Sequence, residues 1–199
     1  MSQLRAFFED LAERWDSYQS PDRDHQLRQL LAPYAPLLSP AGDILDIGTG
    51  TGAIIPHLRE AAPTAHLVSI DLASEMLRRA RQHCPEAALL QADVHHLPLV
   101  TRSFDLVICH NSFPHFADKP RSVSSLADVL RPSGHLLILH NLSREQVNAI
   151  HRSGGAAIQN DLLPPGAETG QMLFQAGFAD ISVEDSDQRY VIGGRLSSV

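Results

Sequence analysis

The chain predicts an α/β fold: a doubly wound, mostly parallel sheet of seven strands, with helices on both faces and a C-terminal antiparallel hairpin. Three observations carry this. From Asp43 onward, short apolar runs alternate with helical stretches. The first run ends in glycines at alternate positions, Gly48, Gly50 and Gly52. The last two runs are joined by a turn too short for a crossover. The runs HLVSI, FDLVIC and HLLIL are continuous rather than alternating, as strands buried on both faces are.

Each element follows in order. Residues 3–18 put Leu4, Phe7, Phe8, Leu11, Ala12 and Trp15 at helical spacing. A second helix covers about 23–38, bent or ended by Pro33, Pro36 and Pro40. Residues 1–40 thus form a helical cap on a core of residues 41–199, within one domain. The core reads strand 43–47, helix 52–62, strand 66–70, helix 74–83 and strand 87–91, then the proline-containing loop QADVHHLPLVTRS. Strand 104–109, helix 119–130, strand 135–140 and helix 144–152 complete the alternation, with Leu130 to Gly134 as helix stop and turn. Ser143 to Gln146 reads as a capping box. A helix over about 168–176 ends at Gly177. Then FADISVEDS and RYVIGGRL pair around the turn at Asp185 to Gln188.

Composition narrows the function. The 199 residues are enough for one α/β domain with a substantial core. No apolar run approaches the roughly 18 residues of a membrane span, and the amphipathic, charged N-terminus is not a signal peptide. A formal net charge of -7 argues against nucleic acid as the main partner. Cys84 and Cys109 are far apart and fit a reducing cytoplasm. The sequence is compatible with a homodimer and does not fix the oligomeric state.

The glycine loop is the most informative stretch. A dinucleotide fingerprint spaces its glycines G-x-G-x-x-G; here the spacing is G-x-G-x-G, with Ala53 where the last glycine would fall. Asp46 precedes the loop, which disfavours a pyrophosphate and suits a ligand with a cationic amino group and a sulfonium. Asp71 ends the second strand 19 residues after Gly52, placed to accept hydrogen bonds from ribose hydroxyls. Asp93 ends the third, on the adenine side. All three acids stand at carboxyl ends of strands, where open sheets of this type bind ligands. The competing reading of Asp71 and Asp93 is as helix caps alone.

On these residues the chain resembles the class I S-adenosylmethionine-dependent methyltransferases, of the small-molecule type, a Rossmann-like family. LDIGTGTG, SIDLASEML, QADVHHLPL and the stretch from Phe104 to Leu139 carry the resemblance over most of the chain. It implies S-adenosyl-L-methionine as cofactor. Gly48, Thr49, Gly50 and Gly52 then form the methionine-side loop with Asp46 orienting that moiety, Asp71 holds the ribose, and Asp93 meets the adenine amino group. Leu72, Val94 and Met76 would pack on the adenine, while His110 and Asn111 would touch the cofactor through their backbones. The helix holding Phe8, Trp15 and Tyr18 resembles one that covers the cofactor in small-molecule members, with plain core packing as the alternative.

The acceptor side is less explicit. His115 is the best candidate for a general base, against a role supporting its loop. His110, His115, His140, Glu145 and His151 are expected to line one pocket, with His140, Glu145 and His151 facing substrate. His110, His140 and His151 are the side chains that could hold a metal, although their spacing matches no compact metal motif and no metal is assigned. Residues 141–170, bracketed inside by Gly154-Gly155 and Pro164-Pro165, form the expected substrate or lid segment. The expected activity is in-line methyl transfer to a small-molecule acceptor. Its alternatives are a cofactor-binding regulatory module, a metal-assisted methyltransferase using the histidine pocket, and a nicotinamide-dependent oxidoreductase. No Asn-Pro-Pro-Tyr-like tetrad follows the fourth strand, which disfavours amino-group methylation of bases or glutamine.

Overall fold

The computed structural model describes residues 3–198. Seven strands form one sheet: β1 (Asp43–Ile47), β2 (His66–Asp71), β3 (Ala88–Gln91), β4 (Phe104–His110), β5 (Leu130–His140), β6 (Phe178–Asp185) and β7 (Tyr190–Leu196). Their spatial order is β3-β2-β1-β4-β5-β7-β6. The first five run parallel, and β7 is antiparallel to both neighbours, β5 and β6. Strand order reverses between β1 and β4, and such a switch point opens a crevice at the carboxyl ends.

Two apolar layers flank the sheet. One packs Leu45, Ile47, Val107 and Ile138 under Val123, Leu126 and Leu173, from α6 (Lys119–Val129) and α8 (Gly166–Gln175). The other packs Ile44, Leu106 and Leu137 under Leu27, Leu31 and Leu58, from α2 (Arg23–Leu31) and α4 (Ile55–Ala61). Adjacent residues of β1 therefore enter opposite cores, and both demand apolar side chains, which is why the strands read as unbroken apolar runs.

The expected elements are all present, with shifted ends. The cap is more broken than its apolar spacing suggests. Helix α1 (Gln3–Leu11) stops short of Trp15–Tyr18, which forms a separate 3-10 turn. The second helix breaks at Leu31, since Pro33 and Pro36 lack the donors to continue it; a 3-10 turn and the short α3 (Ala35–Leu38) follow. Helix α4 begins at Ile55 because Thr51 to Ile54 are still turning off the glycine loop. The stretch from Leu130 to Gly134, expected as a turn, is part of β5: it bulges between the pairs Phe104–Leu130 and Leu106–His135. Helix α5 (Ser74–His83) and α7 (Arg144–Ser153) fall as expected, and the capping box of α7 forms in full between Ser143 and Gln146.

Candidate active site

A cavity of about 260 Å³ opens at the carboxyl ends of β1 to β4. Its cofactor side is lined by Gly48, Gly50, Asp71, Leu72, Met76, Asp93 and Val94, as the sequence motifs imply. Its other side is lined by Asn111, Ser112, His115 and Phe116 from the loop after β4, and its roof by Leu4, Phe8 and Trp15.

The glycine loop is held from both sides. The N–H groups of Gly48 and Thr49 donate to the Ile70 carbonyl at 2.8 and 2.9 Å, and Gly50 N–H donates to Asp71 Oδ2 at 2.8 Å. Ser112 Oγ donates to the Ile47 carbonyl at 2.6 Å. This last contact requires Gly48: its φ is +73°, and a Cβ there would stand 2.4 Å from Ser112 Cβ. A Cβ on Gly50 would meet only Trp15 Nε1, at 3.8 Å, so the backbone at Gly50 faces open cavity where a ligand can approach closely. Gly52 does something else. It lets α5 come near, its notional Cβ lying 3.2 Å from Ala80 Cβ, and it does not line the cavity.

The three acids separate in role. Asp71 Oδ1 accepts from Ala73 N–H at 2.9 Å, so it caps the turn into α5 as well as lining the cavity. Burial pushes its carboxyl up, and the backbone N–H groups of Ala73, Gly50 and Leu72 pull it back. Asp93 accepts from His95 N–H and pairs with His95 Nδ1 at 2.7 Å, both through Oδ1. Burial opposes its charge, but His95 and His96 hold it below the usual carboxylate range. Asp118 N–H donates to His95 Nε2 at 3.2 Å, so Nδ1 carries the proton that meets Asp93. Asp46 does not line the cavity. It is fully buried beneath the loop, one residue behind Ile47, and neither carboxylate oxygen has a hydrogen-bond partner among the described residues. Burial drives it up to about 7; the nearby Thr49 and Ser69 hydroxyls oppose this without reaching hydrogen-bond geometry, and Asp71 adds to it. Thr49 is likewise buried behind the cavity wall.

The expected histidine pocket does not assemble as one site. His115 alone of the five lines the cavity. His110 and His140 turn inward, and the Nε2 of each lacks a partner among the described residues. Burial lowers both: His110 to about 4, helped by Arg23 and His57, and His140 well below its ordinary value, helped by His110, His115 and His151. His140 stacks edge-on with Tyr190 at 5.9 Å, because the end of β5 faces the first antiparallel strand. His151 lies behind His115, ring to ring at 4.8 Å, with its Nδ1 on the Asp161 carbonyl. Burial lowers its value too. Glu145 faces solvent and pairs with Arg144 at 2.7 Å: Val147, Asn148 and His151 form the buried face of α7, and Glu145 is on the other. Among the described residues no three His, Cys, Asp or Glu side chains gather as a metal-holding group, so the set His110, His140 and His151 gives no metal site.

Four contributors were not among the site residues assigned from the sequence. Asp161 Oδ2 pairs with His115 Nδ1 at 2.9 Å across 46 positions. Ser112 and His95 act as described. Glu9 reaches from α1 to the start of α5, accepting from Ser74 N–H, Ser74 Oγ and Glu75 N–H at 2.6–2.9 Å, and so caps a helix whose own N-cap residue is Ala73. Phe8 packs edge-on against Trp15 at 5.9 Å and His115 at 4.9 Å while lining the cavity, so it combines packing with a place in the cavity roof. Tyr18 is exposed.

Comparison with known proteins agrees with this geometry. A family profile described as "Methyltransferase domain" matches residues 45–138. Demethylmenaquinone methyltransferase of Thermotoga maritima is 33% identical over 99 residues, covering 50% of this chain and 43% of that protein. Malonyl-acyl-carrier-protein O-methyltransferase of Geobacter sulfurreducens is 28% identical over 196 residues, covering 93% of this chain and 73% of that protein. The chain spans less than half the length of the first curated relatives it matches. The crystal structure of a SAM-dependent methyltransferase from Aquifex aeolicus superposes with a TM-score of 0.71 at 19% identity, covering 93% of this chain and 98% of that one, which shows a common fold. No helix of the described residues is long and apolar enough to cross a membrane.

Proposed function

The chain belongs to the class I S-adenosylmethionine-dependent methyltransferases, and on that premise we propose that it transfers a methyl group from S-adenosylmethionine to a small-molecule acceptor. The observation that carries this is the meeting of Gly50, Asp71 and Asp93 on one wall of one cavity, with the post-β4 loop opposite. The residues fit the cofactor: Gly50 leaves backbone open to the cavity, and each of Asp71 and Asp93 lines it with a carboxylate. Asp71 would take the ribose hydroxyls, Asp93 the adenine amino group, and Leu72, Met76 and Val94 the apolar ring faces. Asp46 acts from beneath the loop rather than in the cavity.

The cofactor supplies a methyl carbon activated by a sulfonium. The residues here align and shield. Phe8 and Trp15 close the roof against water, and Phe116 narrows the acceptor side. His115 is the one ionisable side chain of the post-β4 loop in the cavity wall, and it serves as base where the acceptor carries a proton. Relatives named for quinone and malonyl-carrier acceptors support a small-molecule or carrier-bound substrate.

Calorimetry with S-adenosylhomocysteine and labelled transfer from S-adenosylmethionine into a deproteinised metabolite extract test this together. Binding with transfer supports the enzyme. Binding without transfer favours a regulatory module, and NAD binding in place of S-adenosylhomocysteine overturns the reading for an oxidoreductase.

A further inference from the structure

We propose that Asp161 is the positioning residue of His115, and that this pair sets the acceptor class: a hydroxyl or an acidic carbon that must lose its proton as it is methylated. The inference rests on the methyl-transfer reading above and adds the substrate chemistry.

The geometry begins with the ring. His115 Nδ1 meets Asp161 Oδ2 at 2.9 Å, and a carboxylate only accepts, so Nδ1 holds the ring proton. Nε2 then carries the lone pair, on a ring that lines the cavity. The ring cannot swing freely, because Phe8 stands edge-on to it at 4.9 Å and the His151 ring lies at 4.8 Å.

Asp161 itself is fixed by its surroundings rather than by His115. Its carbonyl accepts from His151 Nδ1. Two residues on, Leu163 is clamped to buried Asn148 in both directions: Leu163 N–H donates to Asn148 Oδ1 at 2.8 Å, and Asn148 Nδ2 donates to the Leu163 carbonyl at 3.1 Å. A segment between two helices therefore presents one carboxylate to one imidazole, in the constellation that makes a histidine a competent base. An acceptor that is already a neutral, unprotonated nucleophile needs no such pair.

The proton balance is simple. The acceptor's proton passes to Nε2, and the electron pair left behind forms the new bond to the methyl carbon. The pair of the broken carbon–sulfur bond stays on sulfur, which becomes a neutral thioether. The imidazolium so formed faces the Asp161 carboxylate.

The test uses Asp161→Ala, which keeps the Asp161 carbonyl and the Asn148–Leu163 clamp. Long-range nitrogen–proton correlation spectra, with His115 assigned by its loss in His115→Gln, read the tautomer of the neutral ring with and without S-adenosylhomocysteine. The wild type should carry the proton on Nδ1, and Asp161→Ala should move it to Nε2. S-adenosylhomocysteine affinity should stay within about twofold, while labelled transfer falls about 100-fold. The wild-type product should bear its new methyl on oxygen or carbon. A wild-type Nε2–H tautomer, or one unmoved by Asp161→Ala, overturns the pair. A product methylated on an amine nitrogen overturns the acceptor class. Failure of the wild type to bind S-adenosylhomocysteine overturns the underlying reading instead, and the tautomer of the free protein still decides the pair.

Discussion

The two walls of the cavity are built at different reach along the chain. On the cofactor wall, Asp71 caps the turn that follows its own strand, and Asp93 is held by the histidine two residues on. On the acceptor wall, Ser112 reaches back to Ile47, His115 is held by Asp161, and Phe8 arrives from α1. The difference teaches where each wall is vulnerable. The first depends on strand ends that the sheet itself fixes. The second depends on docking of segments that can separate without unfolding the sheet.

The largest test of that contrast is Asp71→Ala. Removing the carboxylate frees the N–H groups of Gly50 and Ala73 and the proposed ribose contact at once. S-adenosylhomocysteine affinity should fall at least about 100-fold, near 3 kcal/mol for charged hydrogen bonds. His115→Gln should change it only a few-fold. If calorimetry gives the two variants equal losses, the walls are not separable.

This contrast also explains what could be read from the sequence. Asp71 was legible because a strand, its terminal acid and the next helix are contiguous, and Asp93 because it stands two residues beyond β3; the topology then brings the two positions to one cavity. Asp46 was legible as an acid but not as a buried one, since whether a strand-end side chain faces the cavity or the core depends on the parity of the strand. The histidines misled for the same reason. Their common edge was evident, yet His140 faces Tyr190 on β7, and Glu145 lies opposite the buried face of α7. Asp161 had no local signature. It is one acid in an irregular segment, placed by the Asn148–Leu163 clamp and by the contact of its carbonyl with His151.

Gly48 is where the two walls touch. Gly48→Ala sets a Cβ into Ser112 and forces a side chain into a left-handed backbone. The cost should be about 2–3 kcal/mol, read by denaturant unfolding, with the Ser112→Gly background recovering the steric part. A loss under about 1 kcal/mol would mean the post-β4 loop can retreat, and that the junction is softer than the sheet.

Acid sharpens the comparison further, because the buried groups of the two sides titrate in opposite directions. His110 and His140 stay neutral when folded but take protons near 6.5 when unfolded. Their lowered values make stability fall as pH drops from about 6.5 toward 4. Asp46, raised to about 7, does the reverse: its folded form holds a proton the unfolded chain gives up, so it favours the fold more as pH drops from 7 toward 3.8. The fall due to the histidines is thus partly offset by Asp46 between pH 6.5 and 4.5. Asp46→Asn should steepen that fall, and His110→Asn should flatten it. Unfolding midpoints across pH that move the other way would reverse the assignment.

The smallest effect is expected at the roof, and it shows whether docking of α1 is a separate event. Glu9 caps α5 across 65 positions with its carboxylate, and Arg5 steadies it at 3.2 Å. Burial works against the charge, but the N–H groups of Glu75 and Ser74, the Ser74 hydroxyl and Arg5 outweigh it and keep Glu9 below its ordinary 4.5. A depressed carboxylate gives stability that is present above its unfolded value and lost as pH falls through the folded one. The latch should therefore hold at neutral pH and release below about 4.5. Glu9→Gln should cost about 1 kcal/mol at pH 7, the usual worth of an anion at a helix N-terminus. It should speed hydrogen exchange in α1 without touching β1 or β4. Leu4, Phe8 and Trp15 line the cavity, so S-adenosylhomocysteine should bind a few-fold more weakly in that variant. Faster exchange in α1 and β1 together would mean that the roof and the sheet open as one unit.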